Sequence, residues 1–250
     1  PAGIGPVKFA VDNLQNYHKL GISACEVEFV RQVYIKKDEA VEIGSVAKEL
    51  GIELSVHCPY YVNLNSEEKE KVEASKKRIL QSCEVGHLFG AKSIVFHCGF
   101  YGKRTREETF ENIKNAVVEI MSKIKKNNWD AELCPEVMGK INVFGSVEEI
   151  EKLSKETGCG FCIDFAHVLA RYGKIDFENV ERAFPQKHWH CHFSGIEYGD
   201  KGEKRHIKTT TENWKNLLGF LRGLDKEIVI INESPTPTED SVEGVQMREE

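Results

Sequence analysis

Short apolar, β-rich runs alternate with longer amphipathic stretches along most of the chain, and this alternation restricts the fold more than any other feature. Seven runs predict strands, at 24–30, 52–58, 93–98, 131–137, 160–165, 188–194 and 227–233. Between them, Leu, Ile, Val and Phe recur every three or four residues, which is the period of a helix with one buried face. Strands and helices that alternate in this way indicate a parallel sheet with its crossover helices packed outside it.

The crossover helices are predicted by this period and by their first residues. They fall at about 39–50, 66–89, 105–127, 146–157, 176–183 and 212–223. Ser66, Thr105 and Ser146 each stand where an N-cap residue is expected, and the last two are followed after three residues by Glu, as in a capping box.

The length of 250 residues fits either two small domains or one eight-stranded barrel. No linker or change in composition divides the chain, so we predict a single (β/α)₈ TIM barrel over residues 1–250. Residues 1–6 are interpreted as a strand end and loop followed by a helix at 7–20, so the first strand is expected to be truncated. The last helix, which begins near Glu239, is expected to be truncated too. A doubly wound open sheet is the structural alternative, but the chain lacks its Gly-rich phosphate turn.

Composition limits the function and the location. The formal net charge is -6 and the pI is about 5.9, so no overall basic field draws the protein to nucleic acid. Apolar runs are far shorter than the ~20 residues of a membrane helix, and we expect a cytoplasmic monomer with no membrane partner. Eight irregularly spaced cysteines are expected to be reduced, and Cys159 and Cys162 form a CxxC with no second pair to complete a metal site.

Residues that can bind metal follow one another at the strand ends, where an enzyme of this fold carries its active site. Six consecutive strands end in such a residue: His57, His97, Glu136, Asp164, His192 and Glu233. His167 follows Asp164 by three residues, and His206 lies in a later loop. His190 has the same strand parity as His192, and we choose His192 because it is nearer the strand end.

Taken singly, each of these residues is more easily explained as an ordinary hydrogen-bonding group. Taken together they predict a metal cluster, because buried carboxylates and imidazoles are costly unless a cation lies among them. Mixed His and carboxylate ligands suit Zn²⁺ or Mn²⁺, and a set larger than four indicates more than one ion. Glu136 stands in the middle of the series and is expected to bridge two ions.

Several segments resemble the signature segments of the endonuclease IV family, which comprises metal-dependent barrels that cut DNA on the 5′ side of abasic sites. The resemblance runs from about residue 57 to residue 235. It rests on His57-Cys58-Pro59-Tyr60 followed by Asn63-Leu64, on Phe96-His97-Cys98-Gly99, on Cys162-Ile163-Asp164-Phe165-Ala166-His167, on Arg205-His206 and on Glu233-Ser234-Pro235.

The resemblance implies two or three zinc ions, with manganese as an alternative. One ion would lie among His57, His97 and Glu136, and a second among Glu136, Asp164, His192 and Glu233. His167 and His206 would hold a third. The family pattern adds an Asp two residues before the last His, where this chain has Lys204. Three alternatives are open: Glu203 substitutes, a water substitutes, or the protein uses two metals.

The implied chemistry is cleavage of a phosphodiester by a metal-activated hydroxide. Either Glu136 or Glu233 would position or deprotonate the water. The implied partner is duplex DNA with an abasic site, contacted by Tyr60. Basic residues that follow the strand ends would hold the DNA backbone: Arg31, Lys103, Arg104 and Arg205 among them.

Two other functions remain open at this point. A sugar isomerase or epimerase of the xylose-isomerase-like barrels needs one metal, and Glu136, Asp164, His192 and Glu233 would satisfy it unaided. That interpretation leaves the remaining histidines unexplained. A non-catalytic module that senses DNA damage and has lost full metal occupancy is the second alternative. Lys204, which stands where the family pattern has a metal ligand, would indicate it.

Overall fold

A computed structural model describes residues 1–249 and contains all seven predicted strands, each slightly shorter than predicted. The parallel strands are β1 (Ala24–Glu28), β2 (Glu53–His57), β3 (Ser93–Phe96), β4 (Glu132–Pro135), β5 (Cys162–Asp164), β6 (His188–Phe193) and β9 (Glu227–Asn232). They pair in the orders β1-β2-β3-β4 and β5-β6-β9. Their carboxyl ends therefore meet on one face.

Two junctions close these strands into a ring. Between β4 and β5, Glu136 and Cys162 form a parallel bridge. Between β9 and β1 lies the first segment of the chain, where the Ala2 N–H donates to Asn232 O at 2.9 Å and the Gly3 N–H donates to Glu26 O at 2.8 Å. This segment occupies the eighth strand position, and the predicted TIM barrel is confirmed.

The helices form a layer around the strands. They are α1 (Ala10–Lys19), α2 (Lys37–Glu49), α3 (Lys69–Phe89), α4 (Arg106–Lys126), α5 (Val147–Thr157), α6 (Phe165–Tyr172), α7 (Phe177–Ala183), α8 (Thr211–Leu221) and α9 (Pro237–Glu249). The capping boxes of α4 and α5 form as predicted at Thr105 and Ser146. The prediction for Ser66 was wrong: α3 begins after Glu68, and the Ser66 hydroxyl accepts the Glu68 N–H instead.

Two elements were not predicted. Helix α6 begins directly after β5, with Asp164 as its N-cap. An antiparallel hairpin of β7 (Gly195–Gly199) and β8 (Gly202–Ile207) follows β6, where the sequence indicated only a loop. Both elements lie at the carboxyl ends of the strands and carry His167 and His206 to the barrel mouth.

The main core lies between the strands and the helices, and it includes Cys58, Cys98 and Cys191, as their strand parity predicted. A small set inside the barrel comprises Val95, Cys134 and Cys162. All eight cysteines are buried and free. Over residues 1–249, no helix is both long and apolar enough to cross a membrane.

Candidate metal centre

The mouth of the barrel holds a cavity of about 540 Å³ on the face where the strands end. Its lining includes His57, His97, Glu136 and Glu233, and Tyr60 lies at its edge with 45% of its surface exposed. Glu136 is 1% exposed and lies at the centre of the polar side chains. Three groups of potential ligands surround it.

The first group joins β2, β3 and β4. The Nε2 atoms of His57 and His97 lie 3.3 and 2.9 Å from Glu136 Oε2. His57 Nδ1 is 2.8 Å from the carbonyl of Cys58, which can only accept a hydrogen bond, so this nitrogen carries the proton. In the neutral ring, the Nε2 lone pair therefore faces the carboxylate, which is the arrangement of two ligands of one cation.

The second group joins β4, β5, β6 and β9. One ligand atom each from Glu136, Asp164, His192 and Glu233 lies within 4.8 Å of the others. His192 Nδ1 is 3.3 Å from Glu233 Oε1 and 3.6 Å from Glu136 Oε1. On the other side of the ring, His192 Nε2 is 2.8 Å from Glu26 Oε1, an ion-pair contact whose angles fall outside those of a hydrogen bond.

The third group is built by α6 and β8. The Nε2 atoms of His167 and His206 face each other at 3.2 Å. His167 Nδ1 contacts the Val137 carbonyl at 3.0 Å, and His206 Nδ1 contacts Ser194 Oγ at 3.0 Å. Since Ser194 donates its own proton to Gly195 O, its oxygen accepts from His206. When both rings are neutral, both Nε2 lone pairs therefore point into the space between them.

Negative charge is in excess at this centre, and the histidine pKa values show it. Burial favours the neutral ring of His57, but the hydrogen bond and charge of Glu136 outweigh it and raise the pKa to about 9. Burial likewise opposes the charged form of His167, whereas Asp164 and Glu136 raise its pKa to about 10. Burial and the charge of Glu233 raise the pKa of Glu28 to about 7. A cation among these groups would relieve the same imbalance.

The buried polar atoms without a hydrogen-bond partner test whether metal ions fit. Within the described part of the chain they are Glu26 Oε1, Glu136 Oε1, Asp164 Oδ2 and both ring nitrogens of His192. All of these atoms belong to the proposed ligands, except Glu26 Oε1, which lies beside the proposed ligand His192. Imidazole nitrogens and carboxylate oxygens are the donors that Zn²⁺ and Mn²⁺ accept, so the residues fit such ions.

Sequence reasoning missed three polar residues beneath the ligands. Glu26 is fully buried, accepts from Ser55 Oγ at 2.6 Å and lies 3.0 Å from His190 Nε2. Glu28 lies beside Glu233 in the same acidic group as Glu26. The signal was present, because Glu26 and Glu28 share one parity within an otherwise apolar strand. His190 faces inward as its parity allowed, but it binds Glu26 below the ligand groups.

Some of the residues predicted to bind DNA lie at the mouth of the barrel, and others are held by contacts with the protein itself. Tyr60 lies over the centre, its ring centroid 5.3 Å from that of His57. Arg31 and Lys103 are exposed on loops that follow β1 and β3. Arg104 instead holds the Asn65 backbone and side chain, and Arg205 donates to Glu197 at 2.8 Å on the outside of the hairpin.

The fold and the site define a class: a TIM barrel with adjoining groups of His and carboxylate side chains, compatible with metal binding, at its mouth. Residues 14–250 match the model of the xylose isomerase-like TIM barrel family, and the chain belongs to that family.

Sequence relatives agree with this assignment. The uncharacterized protein MJ0133 of Methanocaldococcus jannaschii is 39% identical over 248 residues, which cover 93% of this chain and 88% of the relative. The probable endonuclease 4 of Mycobacterium leprae is 25% identical over 128 residues, about half of each chain. The resemblance to endonuclease IV proteins noted in the sequence is thereby confirmed.

Solved structures share the fold. Endonuclease IV from Thermus thermophilus superposes with a TM-score of 0.72 at 19% identity, covering 100% of this chain and 96% of that one. A D-psicose 3-epimerase gives a TM-score of 0.67 at 16% identity, covering 95% and 89%. At these identities the likeness is one of fold, and the activity must be argued from the site.

Proposed function

We propose that this protein is a metal-dependent phosphodiesterase that cuts duplex DNA on the 5′ side of abasic sites. The observation that carries the proposal is the pair His167 and His206, whose Nε2 atoms converge at 3.2 Å outside the four-residue group around Glu136. A one-metal site formed by the four-residue group leaves this pair, and His57 and His97, without an assigned role. Similarity to proteins named endonuclease 4 supports the same choice.

The ligand groups name the residues that would hold the ions. His57, His97 and Glu136 would hold one, and Glu136, Asp164, His192 and Glu233 a second. His167 and His206 would hold a third. Such ions supply a water of lowered pKa and positive charge for the phosphate oxygens.

The two candidate acid–base residues, Glu136 and Glu233, differ in their exposure to the cavity. Glu136 is 1% exposed, and its oxygens lie 2.9 to 3.3 Å from nitrogens of His57, His97 and His167. Glu233 has 11% of its side chain exposed and lines the cavity. We therefore assign Glu136 to binding and bridging, and Glu233 to orienting the attacking water and accepting its proton.

Tyr60 would contact the DNA at the lesion. Its ring lies over His57 and His97 at the edge of the cavity, where a nucleotide that lacks its base leaves a gap for an aromatic ring. Arg31 and Lys103 are exposed near the same opening and would contact phosphates.

The test is an incision assay with a duplex that carries one abasic analogue in a 5′-labelled strand. We expect zinc-loaded protein to yield a shorter labelled product that ends in a 3′-hydroxyl, and an undamaged duplex to stay intact. Glu136→Gln should abolish incision while the circular dichroism spectrum is retained. An intact abasic duplex in the presence of protein with bound metal would contradict the proposal.

A sugar isomerase or epimerase that uses one metal is the second candidate. The four-residue group Glu136, Asp164, His192 and Glu233 favours it, as does the fold likeness to D-psicose 3-epimerase. Conversion of a ketose by the same preparation, without incision of DNA, would establish this alternative.

A further inference from the structure

We propose that Glu203 supplies the carboxylate that completes the third ligand group with His167 and His206, and that a β-bulge at Lys204 places it there. The inference deepens the proposed multi-metal function and rests on it. It resolves the question that Lys204 raises, since an ammonium group cannot serve as a ligand.

The pairing of the hairpin shows the bulge. Tyr198 pairs with Glu203, whereas the adjacent Glu197 pairs with Arg205, so Lys204 is the extra residue in β8. In a regular strand Glu203 and His206 would point to opposite faces, because side chains alternate. An extra residue shifts this alternation by one and turns both side chains to the same face.

The contacts of Glu203 fit a ligand. Its Oε2 lies 3.4 Å from His167 Nε2, one of the two nitrogens whose lone pairs face each other. The side chain is only 13% exposed, and its other oxygen, Oε1, lies 4.0 Å from Lys140 Nζ. Glu203 thus places a carboxylate oxygen beside one of the two facing nitrogens.

Lys204 is directed away from the centre. Its Nζ lies 3.5 Å from Glu197 Oε1, and 58% of the side chain is exposed. Glu197 also accepts from Arg205, so Lys204 and the residue after it share one carboxylate on the outer side of the hairpin. The bulge therefore removes positive charge from the third group while it adds a negative one.

A glycine opposite the hairpin allows this approach. The Glu203 N–H donates to the Gly139 carbonyl at 3.2 Å. A Cβ at position 139 would lie 2.7 Å from Glu203 Cβ and 3.0 Å from His167 Cδ2. A side chain at position 139, in the loop between β4 and α5, would therefore collide with Glu203 and His167 in their present positions.

Asp164 is the other carboxylate near this pair, since ligand atoms of Asp164, His167 and His206 lie within 4.8 Å of one another. Its Oδ1 caps α6 by accepting the His167 N–H at 2.8 Å, and Asp164 also belongs to the second group with Glu233. An ion in the second group would use Asp164, and Glu203 would then supply the carboxylate of the third.

The test counts ions rather than turnover. Wild type, Glu203→Gln, His167→Ala, the double variant and Lys204→Ala are loaded with zinc, desalted, and measured by native mass spectrometry and by plasma emission. We expect Glu203→Gln and His167→Ala each to hold one ion fewer than wild type. The double variant should lose no more than either, and Lys204→Ala should match wild type.

Two outcomes would overturn the assignment: a Glu203→Gln protein with the wild-type ion count, or a Lys204→Ala protein that loses the same ion. Circular dichroism excludes a trivial loss of folding. The DNA proposal is tested separately, because the ion count does not depend on incision. If the counts follow expectation while wild type leaves abasic DNA intact, Glu203 stands as a ligand and the proposed function falls.

Discussion

Glu26 illustrates how much of the centre depends on single residues that do not touch the cavity. It is a fully buried carboxylate that accepts from Ser55 and lies within hydrogen-bond distance of His190 and His192. The charges of these histidines hold the pKa of Glu26 well below its usual range although burial opposes this. By fixing the His192 ring, Glu26 would aim Nδ1 at the second group of ligands.

Glu26→Gln should therefore weaken metal binding without unfolding the barrel. The expected loss is roughly 10–100-fold in affinity, because the amide orients His192 less firmly than a carboxylate does. Competition with a chelating dye measures it. Glu53→Gln is the matched control, since Glu53 is exposed at the opposite end of the neighbouring strand. Equal affinities for the two variants would remove Glu26 from the positioning role.

Whether a residue could be found from the sequence depended on its position relative to the strand ends. The sequence predicted that His57, His97, Glu136, His192 and Glu233 lie together, because parallel strands bring their carboxyl ends to one face. Glu26 escaped because it lies inside a strand, where a charged residue suggests an exposed face. Glu203 could be named only as one option, since a bulge changes parity and leaves no clear mark in the sequence.

Among the elements, helices with a local signal were predicted well and those defined by tertiary contacts were not. The capping boxes of α4 and α5 need only residues three apart. Helix α6 is eight residues long and follows β5 without a loop. The segment is therefore too short for its helical period to be distinguished from the preceding strand. The hairpin has polar residues on both strands and therefore lacks an apolar alternation, although Gly199 and Gly202 mark its turn.

The capping box of α4 gives a prediction for stability. Thr105→Ala removes the side chain that accepts the Glu108 N–H, and the free energy of unfolding should fall by about 0.5–2 kcal/mol. Ser122→Ala, an exposed change inside the same helix, should not lower it. Urea denaturation followed by circular dichroism compares the two. A Thr105→Ala protein as stable as wild type would contradict the capping argument.

For the whole molecule, the net charge of -6 conceals an uneven distribution. The mouth is acidic inside, where Glu28, Glu136, Glu203 and Glu233 line the cavity. Several basic residues around the mouth form hydrogen bonds within the protein itself. Arg171, for example, donates to the carbonyls of Met138, Lys140 and Val143. Fewer cations are therefore free for DNA than the sequence suggested.

Arg31 and Lys103 are exposed, whereas Arg205, also exposed, pairs with Glu197 and Arg104 holds Asn65. Replacing Arg31 or Lys103 by Ala should weaken binding to abasic and intact duplexes alike and lower the slope of affinity against salt concentration by about 1. Fluorescence anisotropy at several salt concentrations measures this. Lys187→Ala, at the other end of the barrel and paired with Asp225, should leave the slope unchanged. Equal slopes for all three variants would argue against DNA binding at this face.

Phosphodiester cleavage is proposed to depend on a cluster of ions, and this dependence can be measured as incision of an abasic duplex during zinc titration of the stripped protein. Stripped protein should be inactive, and incision should appear only as the bound zinc exceeds one ion per chain, because Glu136 joins separate ligand groups. Full incision with one ion per chain would rule out this dependence on several ions, and so would an intact duplex at saturating zinc while a ketose is converted.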